Sequence, residues 1–73
     1  MALPLKQRKL IGEAIRKYRK EAGLTQEELA EKADLHPVYM SEVERGQETV
    51  SIHALMKIAR AVGARVRDLV DQL

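Results

Sequence analysis

Apolar side chains recur at Leu10, Ile11, Ala14, Ile15, Tyr18 and Ala22, with charged and polar residues between them. Spacings of three and four place these positions on one stripe of a helix and predict a first helix over residues 5–22. Gly23 follows as the residue that closes it. The run Leu24-Thr25-Gln26-Glu27-Glu28-Leu29 then carries a complete helix-start signal. Thr25 can cap, Glu28 can reach back to close a capping box, and Leu24 can staple onto Leu29, so a second helix starts at Gln26. The same grammar recurs at His36-Pro37, with Leu35 and Met40 at staple spacing and Pro37 in the first helical position. It recurs again at Ser51, where Val50 can staple onto Leu55. A third helix is therefore expected over Pro37 to Arg45 with Gly46 after it, and a fourth over Ile52 to Val62 with Gly63 after it. The segment VRDLVDQL forms a short fifth helix with Val66, Leu69, Val70 and Leu73 apolar. No strand-like alternation, internal repeat or low-complexity tract competes with this reading, so the fold class is all-α, a compact five-helix domain.

Composition narrows the picture further. A chain of 73 residues has room for one domain and one small core. Such a core seldom contributes more than a few kcal/mol, which makes a partner subunit a reasonable expectation before any motif is considered. With no cysteine there is no disulfide and no thiolate metal site. No apolar run approaches a membrane span and the opening MALPL is too short for a signal segment, so a cytoplasmic protein is expected. The net charge of +2 is modest, but it is unevenly spread. Residues 1–20 hold seven basic groups against Glu13, a balance of +6, and residues 21–73 hold six against ten acidic groups, a balance of −4. The basic end could face phosphate or could be the wet side of the first helix.

The central stretch, Gln26 to Arg45, has a more particular pattern. Counting from Gln26, the fourth, eighth, tenth, fifteenth and eighteenth residues are Leu29, Ala33, Leu35, Met40 and Val43, all apolar. Two helices crossing steeply through a tight turn would bury these positions between them. Ala30 is small where the helices approach most closely. Asp34 stands at the turn, where a positive φ is often needed and Asp tolerates it better than most residues, though less easily than Gly. An ordinary helical hairpin would give the same apolar pattern, but would explain less well a second helix whose outward side chains are free and varied.

With IGEAIRKYRKEAGLTQEELAEKA, LHPVYMSEVERG and VSIHALMKIARAVG in place, the sequence resembles the lambda-repressor-like DNA-binding domains, the XRE or Cro type, over residues 10–72. Within that family, the run from Leu35 to Gly46 is especially similar to the small controller proteins of restriction-modification systems, which are dimers. The resemblance implies that the third helix enters the major groove of duplex DNA, with Pro37, Val38, Tyr39 and Glu42 facing the bases. Val38 would touch a thymine methyl, Tyr39 would donate to a base or phosphate, and Glu42 would accept from a cytosine amine. It further implies phosphate contacts from Thr25, Gln26, His36, Arg45 and Gln47. Arg19 and Glu44 match an ion pair that links the first helix to the end of the third. Two departures stand out: Pro37 replaces a basic residue common in controller relatives, and Asp34 replaces the usual turn glycine.

The apolar residues of the last two helices exceed one narrow stripe, and the family pairs through this region. Ile52, Leu55, Met56, Val62, Val66, Leu69, Val70 and Leu73 are therefore expected at a two-fold interface within a dimerisation region of about residues 50–73. His36 and His53 have no third ligand at metal-like spacing. Nor does the sequence hold a nucleophile arrangement or a phosphate loop, so no enzyme activity, cofactor, metal or small-molecule ligand is expected. The expected function is a homodimeric transcriptional regulator on a palindromic operator that blocks RNA polymerase or contacts it. The alternatives are a phage- or antitoxin-type repressor, and a protein-interaction adaptor that keeps the fold without reading DNA.

Overall fold

The computed structural model describes residues 3–73. Five helices follow one another: α1 Leu5–Glu21, α2 Gln26–Lys32, α3 Pro37–Glu44, α4 Ile52–Val62 and α5 Val66–Val70. There are no strands among the described residues.

Local chemistry accounts for the starts of α2 to α5 and the ends of α1 to α4. Thr25 Oγ1 accepts the Glu28 N–H (3.1 Å), and Glu28 Oε1 accepts the Thr25 N–H (2.8 Å), the reciprocal box that starts α2. His36 Nδ1 accepts the Val38 N–H at the start of α3, and Ser51 Oγ accepts the Ala54 N–H at the start of α4. At α5 the Asp68 carboxylate accepts the Arg65 N–H (2.9 Å). Four helices close with the same pair of backbone bonds, six-to-one and five-to-two, around a residue with positive φ. After α1 these are Leu24 N–H to Arg19 O and Gly23 N–H to Lys20 O. After α2 they are Leu35 N–H to Ala30 O and Asp34 N–H to Glu31 O, with Asp34 at φ 55. Asp34 thus performs the closure that glycine performs elsewhere.

The expected boundaries hold for α4, while α1 and α3 end one residue early and α5 stops at Val70. Ala22, expected on the buried stripe, is exposed after the last turn of α1. Leu73 is 54% exposed and has no apolar surface to reward a further turn of α5.

The core assembles where these helices cross. α1 lies against α3, α4 and α5, and α2 lies against α3 and α4. Ile15, Leu29, Met40, Ile58 and Leu69 have essentially no exposed surface. Four of the five helix-crossing positions, Leu29, Ala33, Met40 and Val43, are buried, and Leu35 is half-buried against the same cluster. Ala30 is fully buried, as a close approach of α2 and α3 requires. Each fully buried aliphatic side chain stabilises the fold by about 1.5–3 kcal/mol.

Candidate nucleic-acid interface

α3 presents its first turn outward. Pro37 is exposed and Val38 is 58% exposed. Glu42 is half-buried one turn on, and no cation pairs with it among the described residues. Tyr39 is more engaged with the domain than the other three. It packs against the core, and its hydroxyl accepts the Ser51 N–H (3.2 Å), tying α3 to the start of α4. The hydroxyl hydrogen remains available for a donor contact. His36, beside them, uses Nδ1 as the cap and is exposed.

The flanks of α3 are held by one carboxylate. Arg19 Nε and Nη2 donate to Glu44 Oε2 (2.7 Å) and Oε1 (3.0 Å), a bidentate pair between α1 and α3. Gln26 Nε2, at the first position of α2, also donates to Glu44 Oε1 (3.1 Å). Arg19 Nη1 completes the set on the Leu24 carbonyl. Glu44 therefore faces inward, its side chain 3% exposed, and Glu42 is the acid that faces out from α3. Gln26 is partly committed inside the domain, and its second amide N–H stays free for an outside acceptor. Thr25 is exposed beside it, although its hydroxyl and N–H both belong to the capping box. The Thr25 backbone N–H, and after it the Thr25 hydroxyl, hold the Glu28 carboxyl below the usual glutamate range.

Arg45 and Gln47 are exposed in the loop after α3. Arg45 Nε makes only a long contact to Ser41 O (3.4 Å), so its guanidinium is otherwise uncommitted. The sequence reading missed what positions this loop. Arg8 Nε donates to Gly46 O (2.9 Å) and Nη1 to Leu3 O (3.0 Å), while Leu3 N–H reaches Thr49 Oγ1. It also missed Gly12, where a Cβ would sit 2.7 Å from the Val43 carbonyl and nearer still to that of Glu44. A glycine inside a helical pattern was the available signal, because its propensity cost calls for a packing reason.

The expected pairing surface divides in two. Leu55 (3% exposed) and Leu69 (0%) lie in the chain's own core, because α4 turns Leu55 inward with Ile58 and Ala59 and α5 lays Leu69 against α1 and α4. They are not interface residues. Ile52, Met56 and Leu73 are exposed, and Val62, Val66 and Val70 are half-buried. His53 lines a shallow groove of about 470 Å³ between α2 and α4 with Met56, Lys57 and Arg60. Among the described residues no histidine or acid cluster could hold a metal, and no helix is long and apolar enough to cross a membrane.

A capped helix crossing, an inward acid and an outward first turn are the arrangement of a helix-turn-helix, and the helix-turn-helix family model matches residues 15–69. The chain belongs to the helix-turn-helix family. Control protein C.BamHI of Bacillus amyloliquefaciens is 40% identical to it over 65 residues, which is 88% of this chain and 80% of that protein. The HTH-type transcriptional regulator SinR of Bacillus subtilis (strain 168) is 41% identical over 64 residues, 86% of this chain and 58% of SinR. The crystal structure of the restriction-modification controller protein C.AhdI from Aeromonas hydrophila superposes with a TM-score of 0.85 at 36% identity, covering 88% of this chain and 97% of that one. A crystal structure of SinR in complex with DNA superposes with a TM-score of 0.80 at 42% identity, covering 84% and 98%. The family match starts at Ile15, so the first turns of α1 lie outside it.

Proposed function

We propose that this helix-turn-helix chain is a sequence-specific, double-stranded DNA-binding transcriptional regulator that acts as a homodimer, of the kind found as controllers of restriction-modification systems. The observation that carries the reading is α3, a capped helix on a rigid crossing whose first turn leaves Val38 in solvent. The likeness to SinR, solved with DNA, supports the same reading.

In this account α3 enters the major groove, where Pro37, Val38, Tyr39 and Glu42 meet base edges. Val38 packs on a thymine methyl and Glu42 accepts from a cytosine amine. Gln26 donates its free N–H to a phosphate, and Thr25 and His36 border the backbone at the two helix starts. Arg45 and Gln47 hold the backbone after α3. Two copies meet through Ile52, Met56 and Leu73 with the half-buried Val62, Val66 and Val70. The symmetry of the pair then calls for half-sites one helical turn, ~34 Å, apart. Occupancy of such an operator in the cytoplasm blocks RNA polymerase or gives it a contact.

Selection of bound duplexes from a random pool tests this reading. A two-fold symmetric consensus is the expected result. Failure to enrich any sequence overturns it and leaves the fold as a protein-interaction adaptor.

A further inference from the structure

Most of the chain's positive balance sits on α1, and several of its cations have no role in the site around α3. Arg8 is spent on the Gly46 and Leu3 carbonyls, so it builds the fold. Its neighbour Lys9 is different. Lys9 is exposed, and the stem of its side chain lies against Gly46, where an added Cβ would come within 2.7 Å of Lys9 Cγ and 3.1 Å of its backbone N. Gly46 is flanked by Arg45 and Gln47. Lys9 therefore rises beside the loop that follows α3.

One turn further along, Gly12 touches the carbonyls of Val43 and Glu44, which fixes this side of α1 over the end of α3. Arg16, four residues on and exposed, stands on the same side. No acid forms an ion pair with Lys9 or Arg16 among the described residues, although Glu13 lies between them in sequence. Lys17, by contrast, lies off the Gly12 side of α1 by the helical period, and its ammonium is over the Tyr18 ring, 5.8 Å from the centroid.

We propose that Lys9 and Arg16 form a second phosphate-binding strip, a DNA-backbone contact made by α1 beside the loop of Arg45 and Gln47. The inference rests on the DNA-binding reading and extends it to a face that reading does not use. The ligand is the phosphodiester backbone itself, which both cations meet without reading sequence. The geometry explains why the strip can serve: the Arg8 and Gly12 contacts anchor α1, so its outward cations hold a fixed position relative to α3.

The test is the slope of log affinity against log salt, measured on one duplex selected by the parent chain. Lys9→Gln and Arg16→Gln, each removing one contact from both copies of the dimer, should each reduce the slope by about 1.8 and weaken binding about thirtyfold near 0.15 M salt. Lys9→Arg should keep the parent slope, Lys17→Gln should leave it unchanged, and operator preference should not move in any variant. Thermal midpoints confirm that the variants fold. Parent slopes in both Lys9→Gln and Arg16→Gln would overturn the strip while leaving DNA binding by α3 intact, and an equal loss in Lys17→Gln would show a diffuse charge effect instead. A flat titration of the parent chain itself would overturn the DNA-binding reading and the strip with it.

Discussion

Glu44 is the residue that holds α3 in place, because its carboxylate joins α1, α2 and α3 through Arg19 and Gln26. A buried carboxylate needs its donors. Removing one partner leaves an uncompensated charge, and this costs far more than the pair contributes when intact. Arg19→Ala should lower stability by about 3 kcal/mol, read from the urea midpoint at unchanged slope. The Arg19 and Glu44 pair was legible as a family resemblance. Gln26 as the third donor was not, since a side-chain amide follows no periodicity that would show which way it turns.

Glu28 makes a second prediction at this scale. Its carboxyl is held below the usual range in the folded chain, so its contribution is present above the unfolded value of ~4.3 and is lost as pH falls through the lowered folded value. From pH 5 to pH 3 the thermal midpoint of the parent chain should therefore drop further than that of Glu28→Ala. Equal drops would mean that the capping box carries no pH dependence.

At the scale of the element, the helix starts were legible because each is encoded within four residues: Thr25 with Glu28, His36 with Pro37, and Ser51. The ends are encoded by a single positive-φ residue, and here one of the four is Asp34. An Asp in the left-handed region costs roughly 1–2 kcal/mol that glycine avoids, partly offset by the extra freedom of glycine in the unfolded chain. The Asp34 carboxylate is fully exposed and 4.0 Å from Lys57 Nζ, an interaction worth little. Asp34→Gly should consequently raise stability by up to about 1 kcal/mol, checked by chemical denaturation. Destabilisation would show that the Asp34 side chain contributes more than its exposure suggests. What the pattern could not give was the early end of α5. Apolar residues at helical spacing extend to Leu73, but the end of a helix depends on whether another surface is there to cover it.

At the scale of the whole molecule, periodicity identified the apolar residues of α4 and α5 and could not sort them. Leu55 and Leu69 complete the core under α1, whereas Ile52 and Met56 point away from it. The difference lies in how α4 and α5 stack on α1, a long-range packing result that no local spacing contains. The placement of the first turns of α1 was hidden for the same reason. Their role depends on Arg8 reaching Gly46, thirty-eight residues away. The molecule that results has an internal frame built on Glu44 and Gly12, an outward first turn on α3, and Ile52 and Met56 exposed on α4.

The central claim is that α3 selects sequence while the loop after it supplies grip. It is tested most directly by measuring affinities of variants across a panel of related duplexes at one salt concentration. Exchanging Val38 or Glu42 should change which duplex is preferred, by about 1–3 kcal/mol at the affected base pair, while Arg45→Ala should weaken every duplex by a similar factor. A uniform loss from Val38 and Glu42 exchanges, together with altered preference from Arg45→Ala, would contradict the account.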